Sequence, residues 1–102
     1  MSTITLTSKQ RRFLKAKGHA LKAVVIIGAE RCTPGVIAHI DDALEQHELL
    51  KVRLTDADRA EVLQAAAALT EGTGCVVAQR IGGTLVLYRK RREGKPTIHL
   101  PR

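Results

Sequence analysis

Three short apolar runs, separated by segments of helical period, limit what this chain can fold into. "AVVIIG", Ala23 to Gly28, is β-branched and too short for a buried helix, so it predicts a buried strand ending on glycine. In "LLKVRL", Leu49 to Leu54, Leu50, Val52 and Leu54 alternate with Lys51 and Arg53, which predicts a strand with one buried and one basic face. "CVVAQRIGGTLVLYRK", Cys75 to Lys90, predicts two strands joined at Gly82-Gly83, because adjacent glycines between apolar alternations signal a tight hairpin.

Helices fill the intervals. "LTSKQRRFLKAKG", Leu6 to Gly18, has Thr7 or Ser8 as its cap and Gly18 as a left-handed stop. Its apolar side is thin, with Phe13, Leu14 and Ala16. A second helix starts at Thr33, with Pro34 in the first turn where a missing N–H costs nothing. Val36, Ile37, Ile40, Leu44 and His47 fall on one side of it, and Asp41, Asp42 and Glu45 on the other. The third helix is capped by Thr55, Asp56 or Asp58, carries a stripe of Val62, Leu63, Ala66 and Leu69, and stops at Gly72 or Gly74.

The order is therefore α-β-α-β-α-β-β, an α/β (α+β) arrangement with one four-stranded mixed sheet. Parallel pairing comes from the right-handed β-α-β crossovers, and the closing hairpin adds an antiparallel edge. The second and third helices are expected on one face. One domain covers residues 1–102, with a basic, flexible tail from about residue 91 and a short extended piece at Thr97 to Leu100.

With no Trp, one Phe and one Tyr, the core has to be aliphatic. Cys32 and Cys75 lie far apart and show no zinc-type spacing, which fits a reducing compartment. No signal-like or bilayer-spanning stretch is present, so the expected setting is the cytoplasm.

Charge is segregated along the chain, whose formal net charge is +7. Before Gly28 stand Lys9, Arg11, Arg12, Lys15, Lys17 and Lys22, with no acid. Between Gly28 and Gln79 acids outnumber bases, and from Arg80 onward the only acid is Glu93. Two basic ends around an acidic middle suit a polyanion-binding face. The few aromatic residues disfavour recognition by aromatic stacking; Tyr88 is read as a half-buried strand residue.

Catalysis finds no support. His19, His39, His47 and His99 lack paired metal-ligand spacing, and Asp41 and Asp42 are adjacent and so diverge on a helix. The expectation is a non-enzyme with no metal, cofactor or small-molecule substrate, and no membrane contact.

Gly28 admits two readings. It is a plain strand-to-helix turn, or it lets a sugar-phosphate backbone approach a helix N-terminus whose first N–H groups are unpaired. Glu30 opposes a phosphate there but suits the helix dipole. Arg31 offers a bidentate phosphate fork.

Together, "LTSKQRRFLKAKGHALKAVVIIG", "LEQHELLKVRL" and "IGGTLVLYRKRR" resemble the YhbY-like proteins, the stand-alone form of the CRM (chloroplast RNA splicing and ribosome maturation) domain. The resemblance runs from Leu6 to Arg102. It implies a fold similar to the C-terminal domain of translation initiation factor three, binding to structured ribosomal RNA in precursors of the large subunit, and a role in ribosome assembly. It also implies a Gly-x-x-Gly backbone clamp between the first strand and second helix. Here that loop is Gly28-Ala29-Glu30-Arg31, with arginine in the fourth place, so the Arg31 side chain is expected to stand in for a glycine. The expected RNA surface comprises Lys9, Arg11, Arg12, Lys15, Lys17, Lys22, Gly28, Ala29, Glu30, Arg31, Lys51 and Arg53, aided by the C-terminal bases, on a monomer. The alternative is a protein-interaction module that docks on a ribosomal protein through its acidic second helix.

Overall fold

The computed structural model describes residues 5–21, 24–28 and 31–101. The elements are α1 (Ser8–Ala20), β1 (Val24–Ile27), α2 (Pro34–His47), β2 (Leu49–Leu54), α3 (Arg59–Thr73), β3 (Val76–Ile81) and β4 (Thr84–Tyr88). Three helices thus accompany one four-stranded mixed sheet, in the expected order.

The helix starts follow from their caps. Thr7 and Gln10 form a capping box at α1, Asp58 and Glu61 form another at α3, and Thr33 caps α2 ahead of Pro34. Gly74, in the left-handed region at φ +75°, ends α3. Gly18 does not end α1, which continues to Ala20. Its role is close packing: a Cβ at Gly18 would lie 3.1 Å from Val86 Cγ1, so glycine lets α1 rest directly on β4.

The sheet order is β1-β2-β4-β3. β1 and β2 are parallel, and β4 is antiparallel to both β2 and β3. The β2–α3–β3 crossover therefore skips one place instead of pairing β2 with β3, and the hairpin returns β4 into that gap. Gly82 turns the hairpin at φ +56°.

The sheet is covered on both sides. On one, α2 and α3 enclose Ile27, Ile40, Leu44, Val52, Val62, Leu69, Leu85 and Leu87. The α3 stripe is Val62, Ala65, Leu69 and Thr73; Leu63 is 48% exposed, since an alanine-rich run gives little periodic signal for which side faces inward. On the other side, α1 covers Leu49, Ala78, Val86 and Tyr88 with Leu6 and Leu14. Tyr88 is fully buried there rather than half-buried.

The thin apolar side of α1 cannot close that second core alone, and Ile98 and Leu100 pack against it. The segment from about residue 91 is accordingly no free tail. Buried Glu48, at φ +63° just past α2, accepts from Arg91 N at 2.9 Å, Thr97 Oγ1 at 2.7 Å and Ile98 N at 2.9 Å. Burial acts to raise its carboxyl, but these hydrogen bonds to the anion prevail and lower it to about 2. Residues Thr97 to Leu100 form no strand; they are strapped across the molecule.

Candidate nucleic-acid interface

Charge follows the layers of the fold. α1 and the four strands carry Lys9, Arg11, Arg12, Lys15, Lys17, Lys51, Arg53 and Arg80 and not one carboxylate. α2 carries three acids and neither Lys nor Arg. Among the described residues, no base of the α1–sheet layer is in an ion pair.

Lys9, Arg12 and Lys17 are exposed on α1, with Lys15 half-buried. Lys17 Nζ stands 5.2 Å from the Phe13 ring centroid, a cation–π contact that steadies its stem. Arg11 differs. Its Nη1 donates to Val77 O at 2.7 Å and Ala78 O at 3.1 Å, where a β-bulge between Val77 and Gln79 interrupts the ladder. Arg11 thus serves the fold and is not one of the free cations expected of this helix.

Arg53 is exposed on β2 and Lys51 half-buried beside it. They point to the α1 side of the sheet, which α1 covers only in part. β1 is bare on that side: Val24 is 38% and Ile26 62% exposed, so the run expected to be buried on both faces is buried on one.

Gly28 follows β1 and is exposed. A Cβ there would meet nothing within 4 Å, and its φ lies outside the left-handed region. The fold itself therefore does not require glycine at this position. Arg31 has φ +61°, a left-handed conformation that suits glycine better than arginine. Its guanidinium is turned inward, donating to Gly28 O at 3.0 Å, Thr55 O at 2.8 Å, Asp56 O at 3.3 Å and Glu61 Oε2 at 3.1 Å. The donors expected to form a phosphate fork are hydrogen-bonded to the protein itself in this structure. Lys22, Ala29 and Glu30 lie outside the described residues.

Arg89, Arg91 and Arg92 are directed at α2. Arg89, 5% exposed, donates to Asp41 Oδ1, to Thr73 O at 2.8 Å and to Glu45 Oε1 at 3.2 Å. Arg92 pairs with Asp41 at 3.2 Å, and Arg91 Nη2 donates to Gln46 O at 2.6 Å. Burial acts to raise the Asp41 carboxyl, but the Arg89 hydrogen bond and charge hold it below its usual range. Backbone N–H groups of Arg92 and Glu93 likewise lower Glu45. Asp41 and Glu45 of the acidic second helix are thus engaged by the chain's own arginines, while Asp42 is exposed. Periodicity alone could not reveal this pairing, because its partners are 44 to 51 positions apart.

Among the described residues, no cluster of His, Cys, Asp or Glu is placed to hold a metal ion, and no helix is long and apolar enough to cross a membrane.

The CRS1 / YhbY (CRM) domain model matches residues 6–89. The chain is 44% identical over 98 residues to "RNA-binding protein" of Haemophilus influenzae, covering 96% of this chain and 97% of that one. It is 38% identical over 96 residues to "Probable RNA-binding protein YqeI" of Bacillus subtilis, covering 94% and 99%. The solution structure of the hypothetical protein SAV1595 of Staphylococcus aureus, described as a candidate RNA-binding protein, superposes with a TM-score of 0.78 at 35% identity, covering 95% of this chain and all of that one.

Proposed function

The chain belongs to the CRS1 / YhbY (CRM) domain family, and from that premise we propose that it is a non-enzymatic RNA-binding protein of the cytoplasm. As a monomer it engages structured ribosomal RNA in large-subunit precursors and assists their assembly. The observation that carries this reading is the α1 side of the sheet, where Lys9, Arg12, Lys15, Lys17, Lys51 and Arg53 stand on elements that bear no carboxylate, with Gly28 just past the end of β1. Lys9, Arg12, Lys15 and Lys17 contact phosphates, and Lys22, Lys51 and Arg53 extend the same surface. The Gly28–Arg31 loop, with Ala29 and Glu30, admits the sugar-phosphate backbone. Arg31 shapes the loop from within, and Arg11 supports the layer through the bulge. The names borne by the relatives, RNA-binding proteins rather than enzymes, support the same class.

Gly28→Ala tests the reading, because the added methyl meets nothing in the protein. Thermal stability should match the parent, while filter binding to a large-subunit ribosomal RNA precursor should weaken by about tenfold, equivalent to roughly 1.4 kcal/mol. The tagged parent should also co-sediment with precursor particles and leave them at raised salt. Full affinity in the variant would take the loop out of the site, and absence from the particle fractions would remove ribosome assembly.

A further inference from the structure

One row of side chains crosses the entire sheet on the side that α1 only partly covers. Ile26 pairs with Arg53, Arg53 with Thr84, and Thr84 with Ile81, so the four share one face on four adjacent strands. At a strand spacing of about 4.8 Å the row is roughly 14 Å long. In the neighbouring row, Val24–Lys51–Val86–Gln79, α1 rests on Val86 through Gly18, while Val24 at the β1 end is exposed. The first row is open: Ile26 is 62% and Ile81 55% exposed, and Arg53 is exposed between them. At its Ile81–Thr84 end it opens into a recess of about 170 Å³ beside His19 and Lys51.

Two large aliphatic side chains thus stand exposed at the ends of one row, with Arg53 and Thr84 between them. The charge carried by α1 and the strands themselves is all of one sign, because none of these elements bears a carboxylate. An occupant that complements the row must therefore combine negative charge with a flat apolar face. Unpaired nucleotides do so, presenting a phosphate and a free base face, whereas bases within a duplex are stacked out of reach. We propose that this row holds unpaired nucleotides adjoining the structured RNA. A base lies on the Arg53 guanidinium between Ile26 and Ile81, and its phosphates face Lys51 and the Gly28 rim. Gly28 is two residues beyond Ile26, immediately after β1 ends at Ile27, so the strand leads directly from the row to the loop. The proposal rests on the RNA-binding reading above and names the RNA element it prefers: a helix that ends in, or is interrupted by, unpaired residues.

Two RNA probes test it by fluorescence anisotropy at one salt concentration: a blunt duplex, and the same duplex with a short unpaired extension. The parent should prefer the extended probe by about tenfold, and Ile26→Ser with Ile81→Ser should reduce that preference to about twofold or less while leaving blunt-duplex affinity unchanged. Arg53→Lys keeps the charge but loses the planar surface, and should lower the preference without altering the salt slope. Equal affinity of the parent for both probes would overturn the proposal and leave the RNA-binding reading standing. Failure to bind either probe would overturn both. Folded serine variants that retain the full preference would also overturn it and assign the row to a protein partner.

Discussion

Nε and Nη2 of Arg31 both donate to the same Oε2 of Glu61, at 3.2 and 3.1 Å. This pair fastens the loop after β1 to the first turn of α3, while Nη1 of the same arginine bridges Gly28 O and Thr55 O. Arg31→Ala should therefore destabilise the fold by about 1–3 kcal/mol in urea titration. Its salt slope for RNA should equal the parent's, because the side chain neutralises no phosphate. Arg31→Gly should recover part of the stability, since glycine adopts φ +61° without strain. A flattened salt slope in Arg31→Ala would return the side chain to the RNA.

The basic residues of α1 separate into two groups. Replacing Lys9, Arg12 and Lys17 by Gln should flatten the log–log salt dependence by roughly two to three units with little change in melting temperature. Arg11→Gln should instead cost about 1–3 kcal/mol by leaving the bulge carbonyls of Val77 and Ala78 without their charged donor. An unchanged slope in the first variant would show that α1 does not contact RNA.

Gly82 sets the hairpin. At φ +56° a β-branched residue is strained, so Gly82→Val should lower stability by about 1–3 kcal/mol. A denaturant midpoint equal to the parent's would contradict the turn.

Glu48 makes the strap pH-sensitive. Its carboxyl titrates near 4.5 when unfolded and at about 2 when folded. Between those values the unfolded chain binds the extra proton, so this contribution is complete above the unfolded value and is lost as pH falls toward the folded one. Glu48→Gln should destabilise the protein near neutral pH, and the gap between parent and variant should narrow as pH falls through that window. A gap independent of pH would mean that the carboxylate charge does not hold the strap.

Element types were legible because each run shows its own period. Leu50, Val52 and Leu54 gave β2, and Thr33-Pro34 gave the start of α2. What remained hidden depends on residues distant in sequence. Ile26 looks like Ile27 within "VVII", and only the absence of a covering element over one face of β1 distinguishes them. Gly18 looked like a stop because the nearness of Val86, on another strand, cannot be seen from α1. Arg11, Arg31, Arg89 and Arg92 counted as free charge because, Gly28 apart, their acceptors lie 16 to 67 positions away.

The docking of Ile98 and Leu100 beside Leu6 and Leu14 has a kinetic consequence. The core beneath α2 and α3 is drawn from residues 27 to 87 and can close within that span. The α1 side must also bring together segments as far apart as Gln10 and Pro101, which are 91 positions from each other and hydrogen-bonded at 3.0 Å. Such long-range closure is entropically slow. The face that carries the basic helix therefore bears the larger loop-closure cost, and the completeness of the RNA surface is tied to the docking of both chain ends.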